Sequence, residues 1–183
     1  IGANIADNHP ILKLHIAKNQ KTTGKKPTII VVDPRFSKTA NMADMYVPIN
    51  PRSDLALMNG LCYIIMEQGW ENEKFIAERT SGYKEFRKHI FENYKPQDVA
   101  NITGIDVKDL YELARVYAKA PKAMSAWTMG VNQSSIGTDT VSSICNLALI
   151  TGNLGRKGAT ALSITGQCNA MGTRETGFTS SLP

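Results

Sequence analysis

Residues 28–54, TIIVVDPRFSKTANMADMYVPINPRSD, carry the clearest structural signal in this chain. The four β-branched residues Ile29 to Val32 predict a strand buried on both faces, as in a parallel sheet. Pro34 cannot continue the hydrogen bonding of a strand, so Asp33 and Arg35 are expected at its carboxyl end. Open α/β sheets bind nucleotides at that edge, which makes this turn the first candidate site.

A second short strand is predicted over residues 45–49 and ends in the turn NPRSD. Arg52 and Asp54 thereby place another guanidinium and another carboxylate at a strand end. Two such turns in one short stretch favour a site for a ligand that carries hydroxyl or amino groups and phosphates. Two ordinary strand-to-helix loops with surface ion pairs are the alternative.

Composition narrows the class of protein. The chain has 183 residues, with Lys+Arg 21 against Asp+Glu 16 and a formal net charge of +5. The basic residues are dispersed and not interleaved with aromatic residues, so nucleic acid is not an expected partner. Three scattered cysteines predict neither a metal site nor a disulfide framework, and no apolar run is long enough to span a membrane.

Hydrophobic periodicity predicts an α/β fold along the whole chain. Strands are expected near residues 28–33, 45–49, 123–127 and 161–164, with a truncated strand at Ile1. Helices are expected over residues 10–21 and 53–68, from about 138 to 151, and three or four times within 71–119, laid on the sheet. The prediction is a three-layer, mostly parallel, dinucleotide-binding-like domain that is truncated at its N-terminal side. We expect the chain to be a piece of a longer protein.

Three further loops have the composition of a ligand site. Gly2 and Asn4 lie at a strand-to-helix turn, where free backbone N–H groups can meet a phosphate. The glycine-containing loop 128–133 carries the amides of Asn132 and Gln133, which can pair with the edge of a heterocycle, although an ordinary loop is the alternative. Residues 165–175 are rich in amides and glycine, which favours a loop that lines a ligand.

Taken in order, these loops resemble the molybdopterin oxidoreductase family. The matching strings extend from one end of the chain to the other and are long enough to be specific: GAN with NHP near the start, VVDPRFSKTANMADMYVPI, RSD, MGVNQSSIGTDTV, NLALITGNLGRKGA and SITGQCNAMGTRE. The resemblance implies a central domain, residues 1–165, that holds one of two molybdopterin guanine dinucleotides with molybdenum. Residues 166–183 would then form an active-site loop that leads back to a neighbouring domain.

The resemblance also implies roles for individual residues. The carboxylates of Asp33 and Asp54 would accept hydrogen bonds from guanine or ribose, and Arg35 and Arg52 suit the diphosphate. The full set of expected cofactor-binding residues is Gly2, Asn4, Asp33, Arg35, Arg52, Asp54, Met129, Gly130, Gln133, Gly166, Gln167 and Asn169. Of these, Gly130, Gln133, Gln167 and Asn169 would line the pterin side.

Within the family, residues 166–175 look most like nitrate reductases of the periplasmic and assimilatory type, whose pattern is Gly-Gln-Pro-Asn-Ala-Met-Gly-Gly-Arg-Glu. Cys168 replaces the proline and Thr173 a glycine. Thr165 stands where formate dehydrogenases have an arginine, whereas Arg174 matches the nitrate-type arginine. Arg174 is therefore the predicted catalytic residue, and nitrate reduction is the predicted reaction. A plain surface pair of Arg174 with Glu175 is the alternative.

Three other interpretations remain open. The middle helices look as much like formate dehydrogenases. A non-catalytic module, as in the large subunit of respiratory NADH dehydrogenases, and a generic nucleotide-binding domain are the others. Family members carry an iron–sulfur cluster and a molybdenum ligand that this chain lacks, so the covered residues alone are expected to be inactive. The expected partners are nitrate, or formate as the alternative, and a redox partner subunit or electron donor. The expected compartment is the cytoplasm, with the periplasm as the alternative.

Overall fold

The computed structural model describes residues 1–24, 27–164 and 170–177. Its strands are β1 (Ile30–Val32), β2 (Met45–Val47), β3 (Met124–Trp127) and β4 (Thr160–Ser163). Its α-helices are α1 (Ile5–Asn8), α2 (Pro10–Thr23), α3 (Asp54–Glu67), α4 (Glu73–Arg79), α5 (Tyr83–Asn93), α6 (Pro96–Thr103), α7 (Val107–Lys119), α8 (Met129–Asn132), α9 (Gly137–Ile150) and α10 (Ala170–Glu175). A short 3₁₀ helix spans Ala40–Met42.

The strands form two parallel pairs that the N-terminal residues join. β1 pairs with β2, with Ile30 opposite Met45, and β3 pairs with β4. The Gly2 N–H donates to the Val32 carbonyl at 3.1 Å, and the Ile1 amino group donates to the Ala126 carbonyl at 2.8 Å. Residues 1–3 therefore lie between β1 and β3, but they are not assigned as the truncated strand that was predicted at Ile1.

The burial of β1 follows the predicted pattern. Val31 and Val32 are both buried, and adjacent strand residues point to opposite faces of a sheet. This strand is therefore covered on both sides, as its run of β-branched residues predicted. The α/β fold with parallel strands is confirmed, although β1, β2 and β3 are shorter than their predicted ranges and β4 begins one residue earlier than predicted.

The hydrophobic core is centred on α3. Leu57, Ile64 and Ile65 of this helix are fully buried, and each contributes about 1.5–3 kcal/mol through removal from water. Helices α5, α6, α7 and α9 all pack on α3, and a buried hydrogen bond from Ser143 to Asn59 links α3 to α9. Because α3 is buried along most of its surface, it forms the centre of a helical layer.

The structure corrects the prediction for the middle of the chain. The expected helices are present, but α5, α6 and α7 pack on α3, and α4 packs on α9. Helix α6 was not assigned from sequence, because Pro96 was interpreted as a breaker. Pro96 instead occupies the first turn of α6, where its missing N–H has no intrahelical partner to lose.

Two loops predicted from sequence contain helix. One turn of helix, α8, occupies most of the loop 128–133, and residues 170–175 form α10 where a ligand-lining loop was expected. The predictions for Thr165, Gly166, Gln167 and Asn169 lie outside the described residues. Across the part of the chain that the structure describes, no helix combines the length and the apolar character that a membrane crossing requires.

Candidate functional site at the carboxyl edge of the sheet

Asp33 follows β1 directly, and its carboxylate organises the turn after the strand. Its Oδ1 accepts the Arg35 backbone N–H at 2.8 Å, and the Tyr46 hydroxyl donates to the Asp33 carbonyl at 3.0 Å. Such a side-chain bond to a backbone N–H two residues ahead is typical of aspartate in turns. Among the described residues, no hydrogen bond reaches Oδ2, so this oxygen remains an available acceptor.

Asp54 is the first residue of α3 and is half-buried. Burial raises the pKa of Asp54, whereas the backbone N–H of Asp54 and the Ile1 ammonium lower it, and the charge of Asp33 makes a smaller raising contribution. Because Asp33 acts on Asp54 electrostatically, the two carboxylates are neighbours at one edge of the sheet. Two adjacent acids, one of them partly desolvated, form a site that is stabilised by hydrogen-bond donors or positive charge.

The turn between β2 and α3 is strained at Arg52. The Ser53 N–H donates to the Asn50 carbonyl at 3.3 Å, with Pro51 and Arg52 at the central positions. Arg52 has a φ of 67°, the left-handed value that a type II turn requires and that glycine adopts without strain. Within the described residues it is the sole residue other than glycine with a positive φ. Such outliers cluster at functional sites.

The two arginines of the edge are free to meet a ligand. Arg35 and Arg52 are both exposed, and their guanidinium groups make no hydrogen bond or ion pair with the residues that the structure describes. A guanidinium is planar and matches two oxygens of a phosphate group. The edge therefore combines two available cations with two acidic acceptors.

Gly2 and Gly130 bring two backbones into direct contact. A Cβ atom on Gly130 would lie 2.7 Å from the Gly2 carbonyl oxygen, and one on Gly2 would lie 3.2 Å from the Gly130 backbone. The Thr128 hydroxyl donates to the same Gly2 carbonyl at 2.9 Å. Close packing thus requires both glycines, independently of any ligand.

Both polar groups of the Asn4 side chain form hydrogen bonds within the protein. Its Nδ2 donates to the Asp7 carboxylate at 2.8 Å, and its Oδ1 accepts the Thr39 hydroxyl at 2.8 Å. Thr39 in turn accepts the Ala6 N–H at 2.9 Å, and the Lys38 ammonium pairs with Asp7. These bonds tie the loop after β1 to α1, so the Asn4 side chain positions that loop.

Thr39 was missed by the sequence analysis. It is buried, and its hydroxyl is the link between Asn4 and the backbone of Ala6. A lone threonine inside a polar loop gives no signal in sequence, because its role depends on a segment more than 30 positions away.

Asn132 and Gln133 are adjacent in the loop around α8, but their side-chain amides have different environments. Asn132 accepts the Trp127 indole N–H at 2.9 Å and donates to the Ser163 hydroxyl at 3.4 Å, so it joins β3, α8 and β4. Gln133 is exposed, and its side-chain amide makes no hydrogen bond within the described residues. Met129 is partly exposed at the start of α8. Gln133, and not Asn132, is therefore available to a ligand.

Gly166, Gln167 and Asn169 lie outside the described residues, and Arg174 belongs to α10. Among the residues that are described, no three His, Cys, Asp or Glu side chains come together as a metal site. The ligand groups brought together by the structure are therefore carboxylates, guanidinium groups, one free amide and closely packed glycine backbone.

Fold and site define a class of protein: an open α/β domain with acidic acceptors and free arginines at the carboxyl edge of its strands. This donor and acceptor set fits a nucleotide that carries a diphosphate. Residues 1–182 match the family model described as molybdopterin oxidoreductase. The chain belongs to the molybdopterin oxidoreductase family, whose enzymes use a molybdenum–pterin cofactor.

Individual relatives agree with this assignment. The chain is 42% identical to formate dehydrogenase H of Escherichia coli over 176 residues, which is 96% of this chain and 24% of that protein. It is 38% identical to nitrate reductase of Synechocystis over 182 residues, covering 100% of this chain and 25% of that protein. It is 39% identical to the periplasmic nitrate reductase of Desulfovibrio desulfuricans over 94% of this chain and 24% of that protein. The chain thus spans about a quarter of these relatives.

A solved structure shows the same fold. Acetylene hydratase from Pelobacter acetylenicus superposes with a TM-score of 0.77 and 25% identity, covering 86% of this chain and 21% of that chain. The described strands and helices are therefore arranged as in a known member of this structural class. The resemblance stated from sequence motifs is confirmed at the level of family and fold.

Proposed function

We propose that this chain is the central cofactor-binding part of a molybdenum oxidoreductase and holds one of two molybdopterin guanine dinucleotides. The proposal rests chiefly on the paired carboxylates Asp33 and Asp54, since burial raises the pKa of Asp54 and the charge of Asp33 adds a smaller unfavourable contribution. Guanine offers two adjacent donors, its N1–H and its 2-amino group, which would relieve this unfavourable pairing. We assign residues 1–165 to this domain and residues 166–183 to an active-site loop.

The available side chains at the carboxyl edge each bind a different part of the cofactor. The unused Oδ2 of Asp33 and the carboxylate of Asp54 bind the guanosine end. Arg35 and Arg52 bind the diphosphate through their free guanidinium groups, and the Gln133 amide donates to the pterin side. When bound, the molybdenum supplies the two-electron redox chemistry, and the protein positions the cofactor and substrate and tunes their electrostatics.

Asp54→Asn in the full-length enzyme tests the guanosine site. Loss of a charge-assisted hydrogen bond costs on the order of 1.5–3 kcal/mol, so cofactor affinity should fall roughly tenfold or more. Asp139→Asn is a matched control, because Asp139 is an exposed first-turn acid of α9. The readout is the GMP released on hydrolysis, together with molybdenum content. Full occupancy in Asp54→Asn would contradict the assignment.

Nitrate is the proposed substrate. Arg174 has the charge to attract an anion, and nitrate can accept a planar pair of hydrogen bonds from a guanidinium. Thr165 stands where formate dehydrogenases carry an arginine. An iron–sulfur cluster outside this chain and a redox partner subunit or electron donor would deliver the electrons. The reaction would be reduction of nitrate to nitrite.

Formate oxidation is the second candidate, because the chain is 42% identical to a protein named formate dehydrogenase H. The full-length enzyme should reduce nitrate with a reduced viologen donor and should not reduce an acceptor dye with formate. Arg174→Ala should lose nitrate reduction and keep its molybdenum. Formate oxidation without nitrate reduction would overturn the substrate assignment and leave the cofactor assignment intact.

A further inference from the structure

The loop between β1 and β2 carries Arg35 and is anchored on both sides of this residue. On one side, the Asp33 carboxylate accepts the Arg35 N–H at 2.8 Å, and the Tyr46 hydroxyl donates to the Asp33 carbonyl at 3.0 Å. On the other side, Thr39 is buried, with only 6% of its surface exposed. Arg35 is therefore an exposed residue on a loop segment that is held at both ends.

The Thr39 hydroxyl bonds to the segment that contains α1, as a donor and as an acceptor. It donates to Oδ1 of Asn4 at 2.8 Å and accepts the Ala6 N–H at 2.9 Å. The Thr39 carbonyl accepts the Met42 N–H at 3.0 Å, which orders the backbone that carries the hydroxyl. Because buried polar groups without a partner are unfavourable, both side-chain bonds oppose a shift of the loop away from α1.

An exposed ion pair supplements this buried link. The Asp7 carboxylate accepts Nδ2 of Asn4 and pairs with the Lys38 ammonium, each at 2.8 Å. Lys38 is adjacent to Thr39, so the four side chains form a ring that closes on the loop. The Lys38 side chain is 73% exposed, and exposed ion pairs contribute little to stability. Thr39 is therefore the main link between the loop and α1.

Arg35 lies within electrostatic range of this ring. Hydrogen bonds from Lys38 and Asn4 chiefly lower the pKa of Asp7, and the positive charge of Arg35 makes a smaller lowering contribution. A guanidinium binds a phosphate group more tightly when its backbone is already ordered, because less freedom is lost on binding. We propose that Thr39 is a positioning residue, whose hydroxyl holds the loop so that the Arg35 guanidinium meets the cofactor diphosphate. This inference rests on the proposed function, in which Arg35 binds that diphosphate.

The rate of cofactor release from the full-length enzyme, measured as GMP in the protein-free filtrate after hydrolysis, tests this role. Thr39→Val keeps the branched side chain without its hydroxyl and should accelerate release roughly fivefold, the loss expected for one exposed phosphate contact. Thr39→Ser keeps the hydroxyl and should release the cofactor within about twofold of the original rate.

Thr151→Val is the matched control, because Thr151 is also buried and its hydroxyl also donates and accepts. It donates to the Leu147 carbonyl at 2.8 Å and accepts Nδ2 of Asn153 at 3.0 Å. Thr151 follows the end of α9, a helix of 14 residues that is about 21 Å long and begins beside α8. Both valine variants should lower the urea midpoint of the cofactor-free enzyme, whereas Thr151→Val should leave the release rate within about twofold.

Combination with Arg35→Ala identifies the residue through which Thr39 acts. Arg35→Ala alone should accelerate release roughly fivefold, and the addition of Thr39→Val should change that rate less than about twofold, since the guanidinium is already absent. A further fivefold acceleration would overturn the proposal, as would a release rate in Thr39→Val equal to that in Thr39→Ser or Thr151→Val. Normal release in Arg35→Ala would instead contradict the proposed diphosphate contact itself, and the role of Thr39 would fall with it. If Thr39→Val does not fold, Thr39→Cys, whose thiol is a weak donor and acceptor, is compared with Thr39→Ser with the same expected difference.

Discussion

Replacement of Arg52 by glycine should separate a binding role from a structural one. Arg52 occupies the second central position of a type II turn with φ of 67°, a conformation that costs a side-chain-bearing residue about 1–2 kcal/mol. Glycine adopts this φ freely but loses about 0.5–1 kcal/mol more through unfolded-state entropy. The net expectation for Arg52→Gly is a turn that is as stable as the original or up to about 1 kcal/mol more stable.

Arg52→Ala is the matched control, because alanine also lacks the guanidinium but keeps the strain. Relative to alanine, glycine should stabilise this turn by about 1 kcal/mol, equivalent to roughly fivefold more protection. Hydrogen exchange of the first-turn amides of α3 in the cofactor-free enzyme measures this difference. Both variants should lose about 1 kcal/mol of cofactor affinity, since Arg52 is exposed and its phosphate contact is partly screened.

The combination of outcomes is what identifies the role of Arg52. A stable turn in Arg52→Gly together with weakened cofactor binding would mean that arginine occupies this strained position because its guanidinium binds the ligand. Full GMP content in Arg52→Gly would show that the guanidinium does not contact the cofactor. A turn that is less protected in glycine than in alanine would show that the left-handed conformation is not strained, and would refute the argument.

Four other substitutions test the remaining geometry. Burial raises the pKa of Asp54, so its ionised form costs stability and the free energy of unfolding should fall as pH rises through that pKa. Asp54→Asn should therefore flatten this fall above pH about 4 in urea titrations of the cofactor-free enzyme. Gly130→Ala puts a Cβ 2.7 Å from the Gly2 carbonyl oxygen and should cost roughly 2 kcal/mol or more in the same titrations. Gln133→Ala should lower GMP content without changing stability, whereas Asn132→Ala should destabilise by about 1–2 kcal/mol.

The strands were the most predictable part of the fold. A run of β-branched residues that ends in proline constrains both the conformation and its end, so β1 and the position of Asp33 followed from local chemistry alone. The helix after Ser53 was also predicted in place, although the Ser53 hydroxyl donates to the Asn50 carbonyl at 2.6 Å and does not cap the helix. Local sequence patterns therefore predicted the positions of strands and helices more reliably than they predicted the side-chain contacts of those elements.

The sequence predicted which residue types belong to the candidate site. The structure shows which of them are occupied by contacts within the protein and which are available to a ligand. Asn4 and Asn132 have the amides that a cofactor site needs, but hydrogen bonds to Thr39 and Trp127 occupy them. Gly130 was assigned to the pterin, whereas its contact with Gly2 explains it through packing. These partners are distant in sequence, so neither composition nor spacing could reveal them.

The sequence alone determined the alternation of strands and helices, the carboxyl edge as the candidate site, and the family, because each depends on short contiguous patterns. Tertiary structure alone decided that residues 1–3 lie between β1 and β3, and that the helices pack on α3. It also decided that Asp54 is half-buried, which raises its pKa, and that Arg52 is held at a positive φ. Long-range contacts set these properties, because burial and electrostatic coupling depend on which distant segments meet, and a linear pattern does not encode that directly.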